Sequence, residues 1–146
     1  MVKSKKRLYV ALILINLAFI WGNSLLPAQT SAAFSSWVKN ILLFFLPDGE
    51  PTAIQGHGLL RKAAHFLEFA CYGALWCRYL LLGKRKPALG VLPGVCTACI
   101  DETIQCFVPG RGPRVTDVMI DLSGFSLGLV AILLIQKLNS KWRTKP

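Results

Sequence analysis

Four long apolar runs constrain this chain more than any other feature of its sequence. Each is close to the length of about 20 residues that an α-helix needs to cross the hydrocarbon core of a bilayer. The runs cover residues 8–26, 63–82, 89–108 and 115–136. They predict an all-α membrane protein in which four transmembrane helices form a bundle.

The composition agrees with a single small membrane domain over residues 1–146. Hydrophobic residues make up 53% of the chain and the mean hydropathy is +0.49, which is too high for an ordinary soluble domain. A formal charge of +10 would suggest a nucleic-acid partner in a soluble protein. Here the basic clusters are short, lie against the ends of the apolar runs and lack interleaved aromatic residues. We therefore expect membrane lipids rather than nucleic acid as partners.

One connection between the runs is long, and it contains the sequence FSSWVKNILLFFL. Its apolar side chains share one helical face: Phe34, Trp37, Val38, Ile41, Phe44 and Phe45. The segment is too short to span a bilayer. It predicts an amphipathic helix over about residues 33–46 that lies in the membrane interface.

The distribution of basic residues predicts the orientation of the bundle. Twelve of the 17 Lys and Arg residues lie before the first run, around the connection from the second to the third, and after the fourth. Lys and Arg are enriched on the cytoplasmic side of membrane proteins. A multi-pass chain with both termini in the cytoplasm places all three groups on that side.

A cleaved signal peptide is the alternative for the first run, because KSKKR precedes it and PAQTSAA follows it. Cleavage would leave three spans and an external N-terminus. The apolar run continues through Trp21 toward spanning length, which favours an uncleaved helix. Asn16, Asn23 and Ser24 within it most simply make hydrogen bonds to other helices.

Ionisable residues inside the apolar runs predict a site near the outer face. At about 1.5 Å per residue, Glu68, Asp101 and Asp121 each lie roughly 8 to 11 Å below the outer end of their predicted helix. Helices that run in opposite directions therefore bring three carboxylates to one depth. We expect eleven polar residues to gather at this end: Arg61, Lys62, His65, Glu68, Asp101, Glu102, Gln105, Arg111, Arg114, Asp117 and Asp121.

The cost of burying these groups favours a functional role. One ionised side chain at the centre of a membrane helix costs about 2.5 to 3.5 kcal/mol, so the groups must pair or line a wet cavity. They predict a polar pocket open to the outer side, although polar clusters can also simply hold helices together. Gly124 and Gly128 form a GxxxG pair on the same stripe as Asp117 and Asp121, which predicts close helix packing there.

The five cysteines all lie inside apolar runs: Cys71, Cys77, Cys96, Cys99 and Cys106. This placement favours small buried packing residues over disulfides. The Cys96-x-x-Cys99 spacing is typical of redox or metal sites. However, the sequence has no second such pair and no polar loop beside it, so we expect no chemistry there.

Three motifs resemble the VanZ-like family of small bacterial integral membrane proteins. They are RKAAHFLEF (61–69), DETIQCFVPGRGPRVTDV (101–118) and DLSGFSLG (121–128). The resemblance covers the latter half of the chain, and the N-terminal third matches in character only. It implies a polytopic protein of the bacterial cytoplasmic membrane, associated with the cell envelope. In some members the family is associated with resistance to glycopeptide antibiotics such as teicoplanin, but it supplies no accepted reaction.

The family's polar residues fall on eight positions of this sequence: Lys62, His65, Glu68, Asp101, Glu102, Gln105, Arg111 and Asp117. The family usually has Asn where this chain has Asp121. The departure adds a carboxylate, so a site that requires a neutral amide would be altered here.

Binding is the first function that these residues predict. Guanidinium and ammonium groups at the outer mouth would hold the phosphate or carboxylate of a lipid headgroup, a lipid-linked cell-wall precursor or a glycopeptide antibiotic. The residues that would do so are Arg61, Lys62, Arg111 and Arg114.

The alternative is an intramembrane hydrolase or transferase at the outer leaflet, which would use acid–base chemistry between His65 and a carboxylate. Glu68 lies one turn from His65 and could orient it, and Asp101 and Glu102 are the other catalytic candidates. No cofactor or metal is predicted, because Lys62 and the arginines compete for carboxylates that would otherwise suit a divalent cation. Oligomerisation is left open.

Overall fold

Helices make up nearly all of the described part of the chain. The computed structural model describes residues 2–33, 36–37 and 57–143. Its main helices are α1 (Val2–Ser24), α2 (His57–Leu82), a 3₁₀ turn (Pro87–Gly90), α3 (Val91–Gln105) and α4 (Val115–Arg143). Residues 28–33 and 36–37 are also helical, and these described ranges contain no strand. The all-α prediction is confirmed, whereas most of the predicted interfacial helix over 33–46 lies outside the described residues.

Two of the four helices are long and apolar enough to cross a membrane. They are α1 over Val2–Ser24 and α4 over Val115–Ser140. The third predicted run, 89–108, forms a 15-residue helix of about 22 Å, which is shorter than the hydrocarbon core of roughly 30 Å. A 3₁₀ turn takes up its start, and the chain turns again after Cys106. α2 has 26 residues but carries several charges. A four-span bundle therefore stays a prediction.

Side-chain contacts fix the directions of the helices. Asn23 at the end of α1 contacts Glu68 near the start of α2, and Lys62 near that start contacts Asp117 in the first turn of α4. Gln105 at the end of α3 contacts Asp101 and Ser24. The starts of α2 and α4 and the ends of α1 and α3 thus meet at one end of the bundle, which we call the polar end. The other end, where α1 begins and α2 ends, is the basic end.

Glycines allow α2 and α4 to pack with their backbones in contact. A Cβ on Gly124 would overlap the carbonyl oxygen of Phe66, and a Cβ on Gly128 would overlap that of Ala70. The predicted close packing at this GxxxG pair is confirmed. Gly73 on α2, which the sequence pattern did not single out, makes the reciprocal contact with the backbone of Phe125.

The apolar core lies between the two ends of the bundle. It draws buried side chains from all four helices: Ile13, Ile20, Phe69, Tyr72, Ala98 and Phe125. The Tyr72 ring packs edge-on against Phe69, Trp76 and Phe125, and its hydroxyl accepts a hydrogen bond from Thr97 at 3.1 Å. The polar residues lie next to this closely packed layer, on the side of the polar end.

The cysteine prediction is wrong for four of the five thiols. Cys77 alone is buried, and the exposed four are Cys71, Cys96, Cys99 and Cys106. In an apolar run, hydrophobicity does not distinguish the face that packs on other helices from the face that meets lipid. All five are free thiols in this structure.

Candidate functional site

The polar end gathers the eleven residues that the sequence places there, and we call this set the polar cluster. α2 contributes Arg61, Lys62, His65 and Glu68; α3 contributes Asp101, Glu102 and Gln105; α4 contributes Asp117 and Asp121. Arg111 and Arg114 come from the connection between α3 and α4. Most of these side chains are buried, including Asp101 at 0% and Asp121 at 2% exposure.

Asp101 lies at the centre of the cluster and joins three helices. Its carboxylate accepts hydrogen bonds from Ser24 Oγ at 2.6 Å and from Gln105 Nε2 at 2.9 Å. His65 Nδ1 lies 3.8 Å from Asp101 Oδ2, the oxygen that also accepts from Gln105. Ser24 is fully buried. The predicted interhelical role of Ser24 is confirmed, but its direct contact with the central carboxylate was missed. The available signal was a polar side chain inside an apolar run, which indicates a partner on another helix but does not identify it.

The structure pairs His65 with a different carboxylate from the one expected. Glu68 Oε1 accepts a hydrogen bond from Asn23 at 2.6 Å, and its Oε2 is buried without a partner in the described part of the chain. The carboxylate that lies 3.8 Å from His65 Nδ1 is that of Asp101, from the neighbouring helix, and the two form an ion pair when the imidazole is protonated. Asp101 is therefore the carboxylate nearest to the imidazole, although no hydrogen bond joins them, and Glu68 is instead held against α1.

The mouth of the cluster has more cations than carboxylates to pair with them. Lys62 Nζ lies 3.2 Å and Arg61 Nη2 lies 3.8 Å from the same carboxylate, that of Asp117. Glu102 accepts a hydrogen bond from the backbone N–H of Arg114 at 2.6 Å, while the Arg114 side chain is exposed. Two cations thus share one anion at the mouth.

Arg111 is held over the cluster by the backbone rather than by a carboxylate. Its Nη1 donates to the carbonyl oxygen of Ser24 at 3.3 Å, and its Nε is buried with no hydrogen-bond partner among the described residues. Gly110 adopts a positive φ of 75°, which a side chain would strain, and so turns the chain toward this position. Burial lowers the pKa of the Arg111 guanidinium below its ordinary value, and the charge of Arg61 lowers it further.

The space inside the cluster is small. Its volume is about 10 Å³, comparable to a single water molecule. The lining residues are Arg61, Lys62, His65, Glu102, Gln105, Asp117, Ile120 and Asp121. The predicted pocket is thus too small for a headgroup in this structure, because the buried side chains fill it. A larger ligand would meet the cations at the mouth.

Three donors from three helices could hold a divalent cation. One ligand atom each from His65, Asp101 and Asp121 lies within 4.8 Å of the others. One imidazole and two carboxylates suit Mn²⁺ or Mg²⁺ in donor type. Asp101 already accepts two hydrogen bonds, so it has less capacity left for a metal. The absence of a cofactor stays a prediction.

A family model described as VanZ/LLP1 matches residues 8–136, which include every residue of the polar cluster. Together with the two long apolar helices, this match indicates association with a membrane. No curated protein and no solved structure matches the chain. The motifs around Arg61, Asp101 and Asp121 are therefore part of a match that extends over most of the sequence, and the chain belongs to the VanZ/LLP1 family.

Proposed function

We propose that the polar end binds the phosphate-bearing headgroup of a lipid or of a lipid-linked cell-envelope precursor. The protein would act at the outer face of the bacterial cytoplasmic membrane, crossing it several times with both termini inside. The observation that carries this proposal is the excess of cations at the mouth. Arg61 and Lys62 share the carboxylate of Asp117, and Arg111 has no carboxylate partner among the described residues.

Arg111 supplies the chemistry that a phosphate requires. A guanidinium presents several N–H donors in a planar fork that matches phosphate oxygens. The buried, unpartnered Nε of Arg111 is such a donor. Burial and the charge of Arg61 both disfavour the charged guanidinium. An anion between these two cations would offset both effects, so it would be bound more tightly there than on an exposed arginine.

The association of some VanZ-like proteins with teicoplanin resistance is consistent with an anion-binding site at the mouth of the polar cluster. A lipoglycopeptide antibiotic and its lipid-linked target both bring acidic groups to the outer membrane surface. Resistance would then follow from shielding the target or from holding the antibiotic away from it. Binding of teicoplanin by the purified protein, measured alongside binding of a polyprenyl phosphate, would distinguish these two routes to resistance.

Replacing Arg111 tests the binding proposal. We expect Arg111→Gln to weaken binding of a polyprenyl phosphate by about tenfold or more, since a hydrogen bond to a charged group contributes about 1.5 to 3 kcal/mol. The measurement is a titration of the full chain in nanodiscs, with the uncharged polyprenol as the control ligand.

Arg78→Gln is the matched control variant, because it removes the same charge from an exposed arginine of α2 that lies outside the polar cluster. It should bind polyprenyl phosphate almost as tightly as the wild type. Unchanged binding by Arg111→Gln, an equal loss in both variants, or equal binding of phosphate and polyprenol would each contradict the proposal.

Catalysis is the second candidate, and one observation favours it. The water-sized space borders His65, whose Nδ1 faces Asp101 at 3.8 Å. His65 would accept a proton from a water whose oxygen attacks the phosphorus of a phosphoester at the mouth. The P–O bond to the leaving group would break, the departing oxygen would take up a proton from solvent, and the nearby cations would stabilise charge on the phosphate. The Ser24 hydroxyl contacts the cluster, but it is fully buried and donates to Asp101, so water or a hydroxyl of a second substrate would be the nucleophile.

Phosphate release distinguishes an enzyme from a binding protein. If the polar end is catalytic, the wild type should release phosphate from polyprenyl phosphate or diphosphate. His65→Gln should lower that rate by about a hundredfold or more while still binding the lipid. Binding without turnover on both lipids would remove the catalytic reading and leave the binding proposal intact.

A further inference from the structure

A groove at the basic end, remote from the polar cluster, has the features of a second binding site. It lies between the start of α1, the end of α2 and the start of α3, and has a volume of about 570 Å³. This lies within the range of ordinary small-molecule sites. Its walls are largely apolar and aromatic, with Trp76 and Tyr79 on α2 and Leu92 and Pro93 on α3.

Two cationic side chains line this groove. Lys6 from α1 and Arg85 from the connection after α2 both line it, as does Gly83. Lys6 Nζ and Arg85 Cγ would lie 3.4 and 3.7 Å from a Cβ placed on Gly83, so both side chains fold over this glycine. The five carboxylate side chains of the described residues all lie at the polar end. Within that part of the chain, neither cation has an ion-pair partner.

The backbone holds Arg85 in place. Its N–H donates to the carbonyl of Leu80 at 2.9 Å, and the N–H of Lys84 donates to that of Leu81 at 3.0 Å. Lys84 adopts a left-handed φ of 52°, so α2 ends in a Schellman motif with a lysine where glycine is usual. This sharp, hydrogen-bonded turn directs the chain back over the end of the helix and fixes the position of Arg85 beside the groove.

We propose that this groove binds an anionic phospholipid, with the phosphate between Lys6 and Arg85 and an acyl chain along Trp76, Tyr79 and Leu92. Basic pockets between membrane helices favour anionic headgroups over zwitterionic ones. Aromatic side chains near charged residues are typical of the membrane interface. A free anion would use only the two cations, whereas a phospholipid also covers the apolar wall. The site is independent of the proposed function of the polar end.

Native mass spectrometry of the full chain, released from detergent with phosphatidylglycerol and phosphatidylcholine at equal concentrations, tests this proposal. The wild type should retain phosphatidylglycerol about tenfold more than phosphatidylcholine. Lys6→Gln combined with Arg85→Gln should abolish this preference. The matched control is Lys3→Gln combined with Lys86→Gln, which removes the same charge from side chains of the same two segments that do not line the groove, and it should keep the preference.

A variant that leaves all charges in place tests the apolar wall separately. Cys96 lines the groove from α3. Cys96→Trp should therefore displace phosphatidylglycerol by filling the space, even if the double charge variant fails to fold. Equal loss in both double variants, no preference in the wild type, retention by Cys96→Trp, or displacement of the lipid by millimolar inorganic phosphate would overturn the proposal.

Discussion

Gly128→Ala is expected to lower the free energy of unfolding by about 2 to 3 kcal/mol, the upper part of the range for overpacking a tight interface. The added methyl group would overlap the carbonyl oxygen of Ala70 on α2. A backbone carbonyl cannot rotate away as a side chain does, so the two helices must separate. Separation would also weaken the neighbouring contacts of Gly124 and Gly73. Unfolding of the purified protein in mixed micelles, followed by circular dichroism as the denaturing detergent fraction rises, measures the change.

Gly22→Ala is the matched control for this prediction. It adds the same methyl group to a helical glycine, but nothing lies within 4 Å of a Cβ at that position. The control should be neutral or slightly stabilising, because alanine restricts the unfolded chain more than glycine does. Equal stability of Gly128→Ala and the wild type would show that α2 and α4 are not in backbone contact.

Asp101→Ala is expected to destabilise the protein by about 3 to 5 kcal/mol, as when one partner of a buried polar network is removed. The substitution leaves Ser24 Oγ and Gln105 Nε2 without their shared acceptor, and it removes the carboxylate beside His65. All three partners are buried, so water cannot easily replace the lost contacts. The same unfolding assay in mixed micelles measures the loss.

Asp101→Asn separates the shape of the side chain from its charge. The amide keeps one oxygen that can accept from Ser24 or Gln105, so this variant should lose less stability than Asp101→Ala. Thr103→Ala, at an exposed position on the same helix, should change little. If Asp101→Ala were as stable as Thr103→Ala, Asp101 could not be the residue that joins α1, α2 and α3.

The positions of the helices and of the carboxylates were predictable because both depend on simple geometry. The apolar runs mark where helices form, and their alternating directions bring Glu68, Asp101 and Asp121 toward one end. Hydrogen bonds from Asn23 and Ser24 of α1 now connect to two of these residues. The GxxxG pair on α4 was predictable for the same reason, since its four-residue spacing places both glycines on one face.

Features that depend on how the helix faces rotate against each other could not be predicted. Four cysteines lie on exposed faces although their surroundings in the sequence are as apolar as those of Cys77. The sequence pattern also suggested an open pocket, whereas the packed side chains leave about 10 Å³. Whether His65 lies beside Glu68 or Asp101 depends on how far α3 is rotated about its own axis relative to α2. The sequence of either helix alone does not determine this rotation.

If the polar end binds phosphate as proposed, the ligand would compete with the carboxylate of Asp117 for the same cations. Its carboxylate holds both Arg61 and Lys62, and it lies in the first turn of α4, where the helix dipole adds roughly 0.3 to 1 kcal/mol of stabilisation. An arriving phosphate would gain these cations only as Asp117 releases them, so its affinity would be the difference between two pairings. A doubly charged phosphate monoester would displace the carboxylate more readily than a zwitterionic headgroup would. When the ligand leaves, the carboxylate of Asp117 is already in place to pair with Arg61 and Lys62. The charge of these two cations would therefore be partly balanced in the unliganded protein as well.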